Sequence, residues 1–341
     1  MTDIKSFTLE QLIQYGEKCG WEKYRARQLF LWLYQKNATS FDEMTNLSKN
    51  FRQELSKQFY ISNLSPIRIL SSPDSTVKLT FALQDDNIIE SVLLFDQNRR
   101  TVCVSTQVGC PLNCRICATA KLGFKRNLKW FEIVEQIQAL IRQTNTTPTN
   151  IVFMGMGEPL LNLDEVLEAV KTINSDYGLK IGARRITIST AGIPDGIYRL
   201  AQFPLQIRLA VSLNATNDQT RSMIMPINKR YPLKILFEAI RAYYAQTHRR
   251  ITFEYVLLDG INNLPEDISR LVRLLEGIPC KINLIPFNPF PGSPFRPPTP
   301  AAVKRFALAL YPHLPTVTIR KSKGGKILAG CGQLAGELNI P

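Results

Sequence analysis

Histidine is nearly absent: the 341 residues hold two, His248 and His313, far apart and outside any ligand-like pattern. Imidazole acid–base chemistry and histidine-rich zinc sites are therefore not expected. Acidic residues are in deficit, 28 against 42 Lys and Arg, for a formal charge of +14. That excess attracts polyanions, of which nucleic acid is the commonest large one. No uncharged apolar run approaches the ~20 residues needed to span a bilayer, so no membrane partner is expected. The first residues, Met1-Thr2-Asp3-Ile4-Lys5-Ser6, lack the basic-then-apolar pattern of a secretion signal. Cysteine is scarce, seven residues unevenly clustered, which disfavours a disulfide framework. A cytoplasmic, reducing setting is expected.

What is present is a cluster within that small set. Cys110, Cys114 and Cys117 stand at the spacing C-x3-C-x2-C. A structural zinc wants four ligands, and no fourth Cys or His lies nearby in sequence. Three thiolates on a four-iron cluster leave one iron open for a small molecule. On residues alone, a cluster with an open iron competes with a structural zinc in a non-catalytic RNA-binding protein.

Residues 1–62 read as a small helical domain and a candidate for RNA binding. Thr8-Leu9-Glu10-Gln11 is a capping box, Gly16 and Gly20 weaken or end its helix, and Ser48 caps a third helix. These helices either present basic groups to phosphates or pack on the main domain. Residues 63–98 read as a β connector, with strands near 68–70, 76–83 and 88–94. From 99 to 320, strands at 101–106, 150–155, 185–190, 207–212, 251–258 and 281–286 alternate with helices at 130–143, 164–175, 195–202, 232–246, 264–276 and 300–311. Six βα units predict an α/β fold, a parallel sheet curled into a full or partial barrel. Chemistry then sits at the carboxyl ends of the strands, where the cysteine stretch falls. Residues 321–341 read as a mobile tail in which glycines surround Cys331.

Gly155-Met156-Gly157-Glu158-Pro159-Leu160 follows the second strand, at the same end of the sheet. Its glycines let the backbone approach a ligand, although such a pair alone is usually a tight turn. C-x3-C-x2-C after the first strand of a βα barrel resembles the radical S-adenosylmethionine (SAM) superfamily, which implies a partial (β/α)6 radical SAM barrel. Further stretches carry a narrower resemblance. They are Cys103-Val104-Ser105-Thr106-Gln107-Val108-Gly109-Cys110, Ile188-Ser189-Thr190-Ala191-Gly192, Leu209-Ala210-Val211-Ser212-Leu213-Asn214, Met225-Pro226-Ile227-Asn228, Asn283-Leu284-Ile285-Pro286-Phe287-Asn288-Pro289-Phe290-Pro291-Gly292 and Ala329-Gly330-Cys331-Gly332-Gln333-Leu334. Together they resemble the RlmN/Cfr family of RNA adenine methyltransferases over nearly the whole chain. Asn288-Pro289-Phe290-Pro291-Gly292 and Glu158-Pro159 look like the RlmN branch, which methylates carbon 2, rather than the Cfr branch, which methylates carbon 8.

The resemblance implies one [4Fe-4S] cluster held by Cys110, Cys114 and Cys117, with SAM at the open iron and two SAM molecules per turnover. One SAM methylates Cys331. A second, cleaved at the cluster, yields a radical that takes a hydrogen from that methyl, and the carbon adds to adenine. Cys103 then attacks the Cys331 sulfur, forming a transient disulfide and freeing the product, while Glu90 matches the base that removes the ring proton. Gly157, Glu158, Ser189, Ser212, Leu213, Asn214 and Asn288 match SAM-contacting positions. The implied partners are 23S ribosomal RNA, with transfer RNA as a second candidate, and an electron donor such as flavodoxin or ferredoxin. A monomer is expected. The chain departs from the family at Asn214, where His is usual, and at Ile327-Leu328-Ala329-Gly330, where an acidic run is usual. Glu90 is expected half-buried, and Cys19 and Cys280 are expected to be structural. Lys121, Lys125, Arg126, Lys129, Arg184, Arg185, Lys321, Lys323 and Lys326 are expected, as a sum, to hold RNA.

Overall fold

The computed structural model describes residues 1–335, and the last six residues of the expected tail, 336–341, lie outside the described residues. A ten-stranded sheet organises the chain. Its order is Val317–Ile319, Cys280–Pro286, Ile251–Leu257, Arg208–Ser212, Ile186–Thr190, Asn150–Phe153, Arg99–Cys103, Ile88–Asp96, Val77–Ala82, Pro66–Ser71. Pairing is parallel from the first of these through Arg99–Cys103. The remaining three strands are antiparallel. Ile151, Phe153, Ile186, Ile188, Leu209, Val211 and Phe253 are all buried, as strands covered on both faces require.

The six strands and six following helices expected from the sequence are present within a few residues. The helices run Trp130–Thr144, Leu163–Asn174, Pro194–Ala201, Leu233–Thr247, Pro265–Leu275 and Pro300–Leu310. Four core strands and α-helices were not anticipated, among them the antiparallel pair Gln107–Gly109 and Phe124–Asn127. Val317–Ile319 is a three-residue strand, too short to show periodicity. Asp218–Ile224 is a seven-residue helix capped by the Asn217 side chain. The connector strands do not stand apart: they continue the core sheet, with Val92 opposite Cys103.

The N-terminal helices Leu9–Lys18, Lys23–Tyr34 and Lys49–Gln58 carry the expected caps at Thr8 and Ser48. Of their two expected uses, the structure shows packing. Lys5, fully buried, forms an ion pair with Glu135 on the helix Trp130–Thr144. Gln138 Nε2 donates to Leu33 O at 2.7 Å, and the Tyr34 ring lies against Trp130. Burial lowers the Lys5 pKa while Glu135 opposes the shift. Among the described residues no helix is long and apolar enough to cross a membrane.

Candidate active site

The cysteine loop leaves the carboxyl end of the first parallel strand, as the sheet topology requires. Backbone bonds fix its ends: Cys110 N donates to Gly123 O at 2.8 Å and Arg115 N to Ile224 O at 2.9 Å. Cys110, Cys114 and Cys117 line one cavity together with Gly157, Glu158, Ser189, Ser212, Asn214, Asn288 and Cys331. Ten of the thirteen residues singled out in the sequence thus meet in one place. Leu213, Cys103 and Glu90 do not line it. Leu213 is a core side chain.

Burial pushes the Cys110 thiol up to about 12 and raises Cys114 and Cys117, each further by the neighbouring thiols or by Glu158. As free groups they would stay protonated, and a bound cation reverses that balance. Half-buried thiols around a cavity are therefore a donor set that suits an iron–sulfur cluster. Among the described residues no three Cys, His, Asp or Glu side chains converge as the ligands of one ion would.

The need for Gly155 and Gly157 comes from the protein itself. A Cβ on Gly155 would meet Val104 O at 2.6 Å. Gly157, at φ +101, would place one 2.6 Å from the Gln107 Cβ. The loop after the second parallel strand lies tightly on residues 104–107, which explains both glycines without a ligand. The buried Glu158 carboxylate accepts from Leu160 N at 3.0 Å and Ala191 N at 2.7 Å, tying that loop to the next strand end. Burial raises its pKa, and these donors oppose the shift.

Asn214 stands where the family usually has His, and its backbone suits either residue. Its φ is +57, a left-handed conformation that Asn tolerates well. Its Oδ1 accepts from Val256 N at 2.8 Å and its Nδ2 reaches Met225 Sδ at 3.2 Å. The side chain therefore locks two strand ends together. Arg221 escaped notice in the sequence. It is fully buried, and its guanidinium donates to Leu213 O, Asn228 Oδ1, Ala191 O and Ser212 O. Burial lowers its pKa to about 10, opposed by Cys114 and Asp218. It staples the strand ends that present Ser189 and Ser212. A lone Arg in a short polar helix gives no sequence signal for that role.

The tail differs from its expectation. Its described part, residues 321–335, is seated rather than free. Gly324 N donates to Asp74 Oδ2 at 2.8 Å, Asn288 Nδ2 to Cys331 O at 3.1 Å, and Ala118 N to Gly332 O at 2.7 Å. Gln333 Nε2 donates to Pro289 O at 2.6 Å and Thr119 Oγ1 to Leu334 O at 2.7 Å. Side-chain and backbone partners on the cluster loop and the proline-rich loop overcome the glycines' freedom. Glu90 is fully buried, not half-buried. It pairs with Lys78 at 2.9 Å and accepts from Ala335 N at 3.0 Å. Cys103 is buried, and desolvation, with Cys331 adding to it, pushes its thiol up to about 12. Arg320 and the Met154 backbone oppose the shift. Cys280 is buried as expected, whereas Cys19 is exposed.

Several cations expected to hold RNA are engaged within the protein. Arg126 bonds Asp85 and Glu132, which raises its pKa, and Lys129 pairs with Glu165. Lys121 donates to Pro291 O, and Lys323 lies 3.5 Å from Asp96. Lys125, Arg185, Lys321 and Lys326 are exposed and make no ion pair among the described residues.

Comparison with known proteins adds to this geometry. Residues 104–275 match the Radical SAM superfamily, and residues 2–61 match the ribosomal RNA large subunit methyltransferase N-terminal domain. The chain is 48% identical over 338 residues to the dual-specificity RNA methyltransferase RlmN of Pelobacter propionicus, covering 99% of this chain and 97% of that protein. It is 48% identical over 339 residues to the protein of that name from Geobacter sulfurreducens, covering 99% and 93%. A crystal structure of a radical SAM methyltransferase from Sphaerobacter thermophilus superposes with a TM-score of 0.94 at 43% identity, covering 99% of this chain and 100% of that one.

Proposed function

The chain belongs to the RlmN family of radical SAM RNA methyltransferases, and from that membership we propose that it methylates carbon 2 of a specific adenine in 23S ribosomal RNA, with transfer RNA as a second substrate. The superfamily implies a [4Fe-4S] cluster and SAM. Cys110, Cys114 and Cys117 would hold the cluster, leaving an open iron. Gly157, Glu158, Ser189, Ser212, Leu213, Asn214 and Asn288 would surround SAM. When bound, this pair supplies both a methyl group and a radical able to abstract hydrogen. Two SAM molecules are used per turnover, and a flavodoxin or ferredoxin delivers the electron.

The chain's own residues do the rest. Cys331 carries the methyl carbon, and its sulfur becomes bonded through that carbon to adenine. Glu90 takes the ring proton. The Cys103 thiolate then attacks the Cys331 sulfur: an S–S bond forms as the sulfur–carbon bond breaks, that bond's electron pair stays with the methylene carbon, which takes up a proton to become the methyl group, and the one unpaired electron left from the radical addition passes to the electron carrier as the methylated base leaves. What supports this reading above all is that Cys331, more than two hundred residues on in the chain, lines the same cavity as the three clustered cysteines. The position of Cys103, close enough to Cys331 for that thiol to help raise its pKa, agrees with it.

Anaerobic reconstitution with iron, sulfide, SAM, a reductant and ribosomal RNA, followed by nucleoside mass spectrometry, tests the proposal. The expected product is 2-methyladenosine. Finding 8-methyladenosine, or no methyladenosine, would overturn it.

A further inference from the structure

The connector hairpin contains an ion pair that does not line the cavity. Thr80 lies opposite Glu90 and Lys78 opposite Val92, so Lys78 and Glu90 are diagonal neighbours on one sheet face. Both side chains are 1% exposed and lie 2.9 Å apart. Both charges have given up their hydration, which apolar residues of similar size would not have required. Glu90 also accepts from Thr80 Oγ1 at 3.4 Å, and each member of the pair reaches the loop that carries Cys331. Lys78 Nζ donates to Leu328 O at 3.4 Å, and Glu90 Oε2 accepts from Ala335 N at 3.0 Å. These points flank Cys331, three residues before it and four after.

We propose that Lys78 is a positioning residue, and that the Lys78–Glu90 pair is a two-armed latch seating both ends of the Cys331 loop over the cavity. Neither arm works alone. Removing Lys78 takes away the cation beside the buried Glu90 carboxylate, which then turns towards Thr80 Oγ1 or draws in water. Either change weakens its hold on Ala335. Where Glu90 serves as base, a point that rests on the function proposed above, protonation removes the negative charge that holds both Lys78 and the Ala335 N–H. Substrate arrival then loosens the far end of the loop at the stage when Cys331 must let go of its product. The latch itself depends only on the contacts described.

Hydrogen–deuterium exchange on the anaerobic holoenzyme, read by mass spectrometry, tests it. Lys78→Met is expected to speed amide exchange over residues 329–335 at least tenfold while residues 280–286 exchange at the wild-type rate. The double variant Lys78→Met/Glu90→Met removes both charges of the pair and the acceptor for Ala335 N, so it folds even where the single variant does not. It should show the same local acceleration. Wild-type exchange over 329–335 in the double variant, or acceleration spread equally into 280–286, overturns the latch. Methylation is followed on the same samples. A tenfold or greater fall in kcat with an unchanged KM for RNA is expected of Lys78→Met, and full kcat with a loosened loop overturns the positioning role. A wild-type enzyme that makes no methyladenosine would instead remove the proposed function, and the exchange result would still decide the latch.

Discussion

Cys103 rests as a thiol. Burial and the neighbouring Cys331 push its pKa up to about 12, so at pH 7 the thiolate is a minor form. In the proposed mechanism the thiolate attacks, so release of the protein–RNA adduct is expected to quicken about tenfold per pH unit between pH 7 and 9. Gel analysis of quenched adduct decay reads this directly, and a flat profile would remove Cys103 from the resolving step. Cys331→Ala should abolish turnover, whereas Cys103→Ala should accumulate the adduct. The clustered cysteines were legible in the sequence because three identical rare residues at fixed spacing are a pattern. Asn214 and Gly157 were legible as positions but not as physics. One answers to a left-handed backbone and the other to Gln107, and neither constraint appears in a linear reading.

At the level of elements, the parallel strands and their helices were readable from apolar runs and helical periodicity. Their boundaries needed tertiary information. Val317–Ile319 is a strand only because Cys280–Pro286 offers it a partner. The helix Asp218–Ile224 matters through one residue, Arg221, whose guanidinium satisfies carbonyls on two strand ends. Arg221→Met keeps the apolar stem and abandons those buried carbonyls, at about 1–3 kcal/mol each where no water replaces the donor. A loss of about 3–5 kcal/mol in urea unfolding is expected. A loss below about 1 kcal/mol would mean that the strand ends hold their own geometry. The tail was misjudged for a related reason. Glycine content reports what a backbone is free to do, while the bonds from Asn288, Thr119 and Gln333 decide what it does.

For the molecule as a whole, the charge of +14 is a poor guide to individual contacts. Arg126 and Lys129 are held in ion pairs, so reversing them costs stability first. The exposed Lys125, Lys321 and Lys326 are different. Each one replaced by Gln is expected to lower the slope of log affinity against log salt by about 0.7–0.9, the value for one lost phosphate contact. Fluorescence-anisotropy titrations of RNA from 50 to 200 mM salt measure it, and unchanged slopes would move the RNA path to another face. The sheet also has two outer strands, Pro66–Ser71 and Val317–Ile319, that no ladder joins. The segment after the last strand runs from one side to the other, through Lys323 to Asp96, Gly324 to Asp74 and Lys78 to Leu328. In mechanical language that is a stitched seam. A ladder pulled in shear must lose all its bonds at once, but stitches give way singly, in succession, so this wall can be peeled while every strand keeps its neighbours.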